Sequence, residues 1–187
     1  MLKLPASDEP FRVLALDPGS QNLGIAILED KLDGSNKVVR NAFTCHLKDT
    51  NPAYAAISEV HGSRFTRMQQ MSDVVLNILH TEKPHAVIVE SNYLGKFAQS
   101  FAVLVECVTY VHRALYEYDR FIPLYMIDPT TVKINAGMKK VKGTTKDDVK
   151  EAMRSRTDIT WNIDIDSLDD HSMDACAIAY YYLTRIV

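Results

Sequence analysis

Two apolar runs joined by a Pro-Gly turn constrain this chain more than any other feature. Residues 11–17 (FRVLALD) read as a buried strand, and residues 23–29 (LGIAILE) as its neighbour after the Pro18-Gly19 break. A third strand falls within 37–46, and the apolar run HAVIVE (85–90), entered after Pro84, reads as a central strand ending in Glu90. Residues 121–127 (FIPLYMI) supply a fifth. Between these runs the periodicity turns helical. Ile57, Val60, Phe65, Met68, Met71, Val75 and Leu79 recur at helical spacing over 52–81. Residues 96–118 predict a helix apolar over much of its circumference (Phe97, Phe101, Leu104, Val105, Val108, Val111, Leu115), as in a helix buried on more than one side. Pro129 opens a short helix over 130–136, GMKKVKGTT (137–145) is a basic loop, and a helix follows over 146–155. Asp166 or Ser167 caps a last helix over 168–186. Three adjacent strands followed by strands alternating with helices predict one α/β domain with a mixed, five-stranded sheet flanked by helices.

Composition bounds the rest. A chain of 187 residues suits a single domain, here taken as 1–187 with residues 1–10 a flexible start. Hydrophobic residues at 47% and charged residues at 24% match a globular protein. No apolar run approaches the roughly 20 residues that span a bilayer, which excludes a membrane protein of helical type. The opening MLKLPASDEPF carries neither a signal core nor an Arg-rich transit helix. Cys45, Cys107 and Cys176 are widely spaced and odd in number, as expected of reduced thiols in a cytoplasmic compartment.

A net charge of −3 says little, but its distribution is uneven. From Lys133 to Arg156 lie eight basic and three acidic residues, so this stretch carries +5 and the remainder −8. A basic segment on an acidic body suits a polyanion approaching one face, although a solvated helix face has the same composition.

Acidic and imidazole side chains fall where strand ends and a helix start would converge. Asp17 ends the first strand, Glu90 ends the fourth, and Asp170, His171 and Asp174 open the final helix, with His171 and Asp174 on one face. Taken singly, each has an ordinary explanation: a turn residue, a helix-start charge, a surface histidine. Taken together, clustered carboxylates repel and resist desolvation, so they call for a cation. Hard oxygen ligands with one imidazole suit Mg²⁺ or Mn²⁺, and two such ions about 4 Å apart can drive phosphodiester hydrolysis.

In order along the chain, VLALDPGSQNLGIAIL (13–28), VIVESNY (87–93), TVK (131–133) with GTTKDDV (143–149), and HSMDACAIAYYYL (171–183) resemble the motifs of the RuvC family of Holliday-junction resolvases. The resemblance implies an RNase H-like fold and a metal-dependent endonuclease that cuts four-way and branched DNA in pairs of nicks, leaving 5′-phosphate. It makes Asp17, Glu90, His171 and Asp174 a metal-binding tetrad for two ions of Mg²⁺ or Mn²⁺, with Asp170 the alternative to His171. Lys133 and Lys146 become the lysines beside the scissile phosphate, with Lys142 a rival to Lys146. Tyr93 falls where family members stack an aromatic on an unpaired base. Lys139, Lys140 and Lys142 would add a salt-dependent grip on the DNA backbone. Helix 96–118 takes the place of the family's dimer helix, which implies a homodimer. The divergence of the motifs leans towards a viral source.

Three other functions compete. Actin-like kinases and ATPases share the fold, but they need two such domains and a second Asp-x-Gly turn. A monomeric nuclease acting on RNA–DNA hybrids, flaps or RNA would use the same acids. A junction-binding protein without activity would have no need of clustered carboxylates.

Overall fold

The computed structural model describes residues 5–6, 9–91, 98–137 and 147–187. Six strands form one sheet: β1 (Phe11–Pro18), β2 (Asn22–Asp30), β3 (Lys37–His46), β4 (Ala86–Glu90), β5 (Leu124–Ile127) and β6 (Ile159–Trp161), in the order β5-β4-β1-β2-β3-β6. The β1–β2 and β2–β3 pairs are antiparallel, and the other pairs are parallel. The helices are α1 (Ala55–Glu82), α2 (Ala98–Tyr118), α3 (Pro129–Ala136), α4 (Asp147–Arg154) and α5 (Asp170–Arg185).

Side chains alternate across the strands, so each face of the sheet has its own core. Val13, Ala15, Ala26, Val39 and Ala42 pack with α5 through Met173, Ala175, Cys176 and Ala179. Small residues on both partners let this helix lie close to the sheet. Leu14, Leu16, Ile25, Ile27, Val87 and Val89 point the other way, into a core of larger side chains from α1 (Met68, Met71, Val75, Leu79) and α2 (Cys107, Val108, Val111, Leu115). The runs over 11–17 and 23–29 are continuously apolar because both faces are covered.

The sheet has six strands rather than the expected five. Ile159–Trp161 is too short to carry a periodic signal, and it becomes a strand by pairing with Lys37–Val39 at the sheet edge. The fifth strand starts three residues later than expected, at Leu124, because Pro123 has no N–H for the ladder and Asp119 turns the preceding backbone. The helix expected over 52–81 is a 3₁₀ turn (Pro52–Tyr54) capped by Asn51, then α1, which breaks at Gly62 with φ 79°. The last helix is capped by Asp169, not by Asp166 or Ser167. Those two residues lie in a separate 3₁₀ turn capped by Asp164. None of the described helices is long and apolar enough to cross a membrane.

Candidate active site

The parallel pairing of β1 and β4 sets Leu16 beside Val89, so the next residues, Asp17 and Glu90, emerge together at one end of the sheet. β5 runs the same way, with Ile127 beside Glu90, and Asp128 follows at that end as the cap of α3. Three consecutive strands of the sheet thus deliver a carboxylate to one edge.

The fourth component arrives on α5, and Gly24 is what admits it. A Cβ on Gly24 would lie 2.1 Å from the carbonyl oxygen of His171 and 3.1 Å from Cβ of Asp17. Only a residue without a side chain lets the first turn of α5 rest on β2 here. Asp169 fixes that turn, accepting from the backbone N–H of Ser172 at 3.0 Å and from its hydroxyl at 2.7 Å. His171 then donates from Nδ1 to Oδ2 of Asp17 at 2.8 Å. Its Nε2 lies 3.4 Å from the amide nitrogen of Asn22, and Asn22 Oδ1 accepts from His46 Nδ1 at 2.8 Å. A polar chain therefore runs His46–Asn22–His171–Asp17 across the ends of β3, β2, α5 and β1.

Among the described residues, like charges meet in this volume. Burial first, and then the negative charges of Asp17 and Asp174, push the Glu90 carboxyl up to about 7. Lys133 opposes them, and Asp128 adds a further upward push. A half-buried carboxylate held against two others is a cost to the fold unless a cation joins it. In donor chemistry the set suits a hard divalent ion: carboxylate oxygens from Asp17, Glu90 and Asp174, with an imidazole at its edge. Among the described residues, no three His, Cys, Asp or Glu side chains gather tightly enough to form a finished cage. Binding an ion would require the side chains to draw together.

The sequence reading anticipated Asp17, Glu90, Asp174, His171 and Lys133, and the structure brings these five to one end of the sheet. Asp170 is exposed as the first residue of α5, while His171 makes the direct bond to Asp17. Tyr93, Lys139, Lys140, Lys142 and Lys146 lie outside the described residues. Four contributors went unremarked in the sequence: Gly24, Asn22, His46 and Asp128. A glycine inside an otherwise apolar strand was a legible sign of close backbone approach. An Asp between a strand and a helix-opening proline was a sign that a fourth acid reaches this edge.

The sheet order, with carboxylates at the ends of its central strands, defines an RNase H-like α/β domain. No family model and no curated protein matches the chain. Solved structures do. Thermus thermophilus RuvC in complex with a Holliday junction substrate matches with a TM-score of 0.65 at 20% identity, over 92% of this chain and 94% of that one. A second T. thermophilus RuvC structure gives 0.63 at 21% identity, over 92% and 95%. The yeast mitochondrial Holliday junction resolvase gives 0.59 at 16% identity, over 91% and 77%. At these identities the likeness is one of fold.

Proposed function

We propose that this chain is a metal-dependent endonuclease that resolves four-way and branched DNA junctions by paired nicking. One observation carries the reading: Asp17, Glu90 and Asp174 converge at one end of the sheet, where desolvation first, and then the charges of Asp17 and Asp174, push the Glu90 carboxyl up to about 7. A protein that only bound DNA would gain nothing from that repulsion. The match in fold to RuvC solved on a Holliday junction supports the choice of substrate.

Asp17, Glu90 and Asp174 would hold Mg²⁺ or Mn²⁺, which would supply activation of a water and charge stabilisation at the leaving 3′ oxygen. His171, bonded to Asp17, fixes the orientation of that carboxylate, and the seat of α5 on Gly24 sets the position of the histidine backbone. Lys133, close enough to act on Glu90, offsets the charge of the incoming phosphate. Lys146 or Lys142 would assist from the basic segment of the sequence, with Lys139 and Lys140 gripping the flanking backbone and Tyr93 stacking at the branch point.

Symmetric cutting needs two sites related by a two-fold axis. α2 offers the surface for it. Ala98, Ala102, Val105, Thr109, His112 and Tyr116 are exposed at alternating spacings of four and three, a small and largely apolar stripe along the helix. A homodimer through α2 follows, and the molecular mass in solution tests it.

Asp17→Asn is the direct test of the chemistry. It should lower cutting by about 1,000-fold or more, as expected where metal-ion stabilisation of several kcal/mol is removed, and leave junction binding intact. Full activity in this variant would refute the assignment.

A further inference from the structure

Next to the acidic cluster, at the same end of the sheet, lies a cleft of about 250 Å³ that the reaction proposed above does not use. Its walls include Asn22 at the start of β2, His46 at the end of β3, Lys48 and Asp49 just beyond it, and Arg67 of α1. The cleft is firmly built. The buried amide of Gln70 clamps the backbone of Lys48 from both sides, accepting from its N–H at 3.1 Å and donating to its carbonyl at 2.6 Å. Arg67 Nε donates to the carbonyl of Ser20 at 3.0 Å, which ties α1 to the turn that follows Asp17.

Its charge is that of an anion site. Arg67 lies 3.7 Å from Asp49, so that acid is already engaged. Lys48 has a fixed backbone, yet among the described residues its ammonium makes no hydrogen bond or ion pair. The second amide N–H of Asn22 adds a donor, and Leu47 is the one apolar side chain in the lining. The volume falls below the roughly 300–1,000 Å³ of pockets that enclose drug-sized ligands, which favours a small charged group. A single carboxylate argues against a second cation site.

We propose that this cleft holds a backbone phosphate of the same DNA strand, flanking the phosphate at the acidic cluster. The proposal rests on the junction-cutting reading. The cleft and the site share Asn22, whose amide meets His171 on one side and His46 on the other. A strand presents a phosphate about every 3.4 Å along the helix axis, so a neighbour of the scissile group falls within reach of an adjoining cleft. Lys48 is then the charged contact, and the clamp by Gln70 keeps it in register with the cutting site.

The test is the salt dependence of binding to a labelled four-way junction in EDTA, for the wild type, Lys48→Ala and Lys31→Ala. Lys31 lies in the exposed turn between β2 and β3, at the opposite end of the sheet, and serves as a charge-matched control. Lys48→Ala should weaken binding several-fold and flatten the plot of log affinity against log salt by about 0.9, the loss of one phosphate contact. Lys31→Ala should follow the wild type, and melting temperatures should agree for all three, since both lysines are exposed. A wild-type slope in Lys48→Ala overturns the proposal. If inorganic phosphate alone moves the His46 ring resonance while that slope stays unchanged, the cleft takes a free anion and the backbone assignment fails. If the wild type binds no junction at all, the junction reading itself is overturned, and this proposal with it.

Discussion

At the end of the sheet where β1 begins, Glu29, Asp30 and Glu82 each have a base beside them. Glu29 lies 2.6 Å from Arg12 and 3.1 Å from Arg40, Arg40 reaches Glu82 at 3.3 Å, and Asp30 lies 3.4 Å from Lys37. At the other end, where β1 stops, Asp17 and Asp174 press on Glu90 and Lys133 offsets only part of their charge. Both ends belong to the same strands and are built from the same residue types. Matched charges stabilise a sheet edge on their own, whereas like charges packed together lower stability until a ligand supplies the missing charge. The contrast separates the part of the molecule that holds the fold from the part proposed to work on a substrate.

The largest expected effect comes from closing the gap that seats α5. Gly24→Ala would drive a methyl group into the backbone of His171, and it should destabilise the chain by about 3 kcal/mol and remove nearly all cutting. Thermal unfolding and a cutting assay on the same sample check both. A well-folded, active Gly24→Ala would mean that α5 does not sit where the site requires.

At the matched end, Glu29→Ala leaves Arg12 and Arg40 without their shared partner in a half-buried setting. Stability should fall by about 1–2 kcal/mol, while the cutting rate of the folded protein stays unchanged.

At the working end the sign reverses. Glu90 is raised above its ordinary value of 4.5 to about 7, so between those values the folded chain holds a proton that the unfolded chain has lost. Stability in EDTA should therefore decline as pH rises from about 5 to 7 and level off above it. Glu90→Gln should remove that decline and make the metal-free chain more stable at pH 8 by about 1 kcal/mol, at the expense of activity. Addition of Mg²⁺ should raise the wild-type melting temperature and leave that of Glu90→Gln almost unmoved. Destabilisation by Glu90→Gln in EDTA would erase the contrast between the two ends.

What was legible in the sequence follows the same division. The central strands announced themselves because burial on both faces forces an apolar residue at nearly every position, as in LGIAIL. The strand-end acids were legible for a related reason: Asp17 and Glu90 terminate the uninterrupted apolar runs VLAL and AVIV. Ile159–Trp161 was not, because a three-residue edge strand exists only through its partner β3. The cap at Asp169 was displaced from Asp166 and Ser167 by a 3₁₀ turn that depends on how the chain enters α5. Asn22 and His46 lie on adjacent antiparallel strands, and their pairing is a matter of register between β2 and β3, which one-dimensional spacing does not contain.

The most direct test of the central claim is incubation of the protein with a labelled immobile four-way junction and a linear duplex of matching sequence, in Mg²⁺ or Mn²⁺ and then in EDTA. The account predicts paired nicks near the branch point that vanish in EDTA, with the linear duplex left whole. Tight junction binding without any cut in either metal would contradict it, and so would cutting confined to RNA–DNA hybrids.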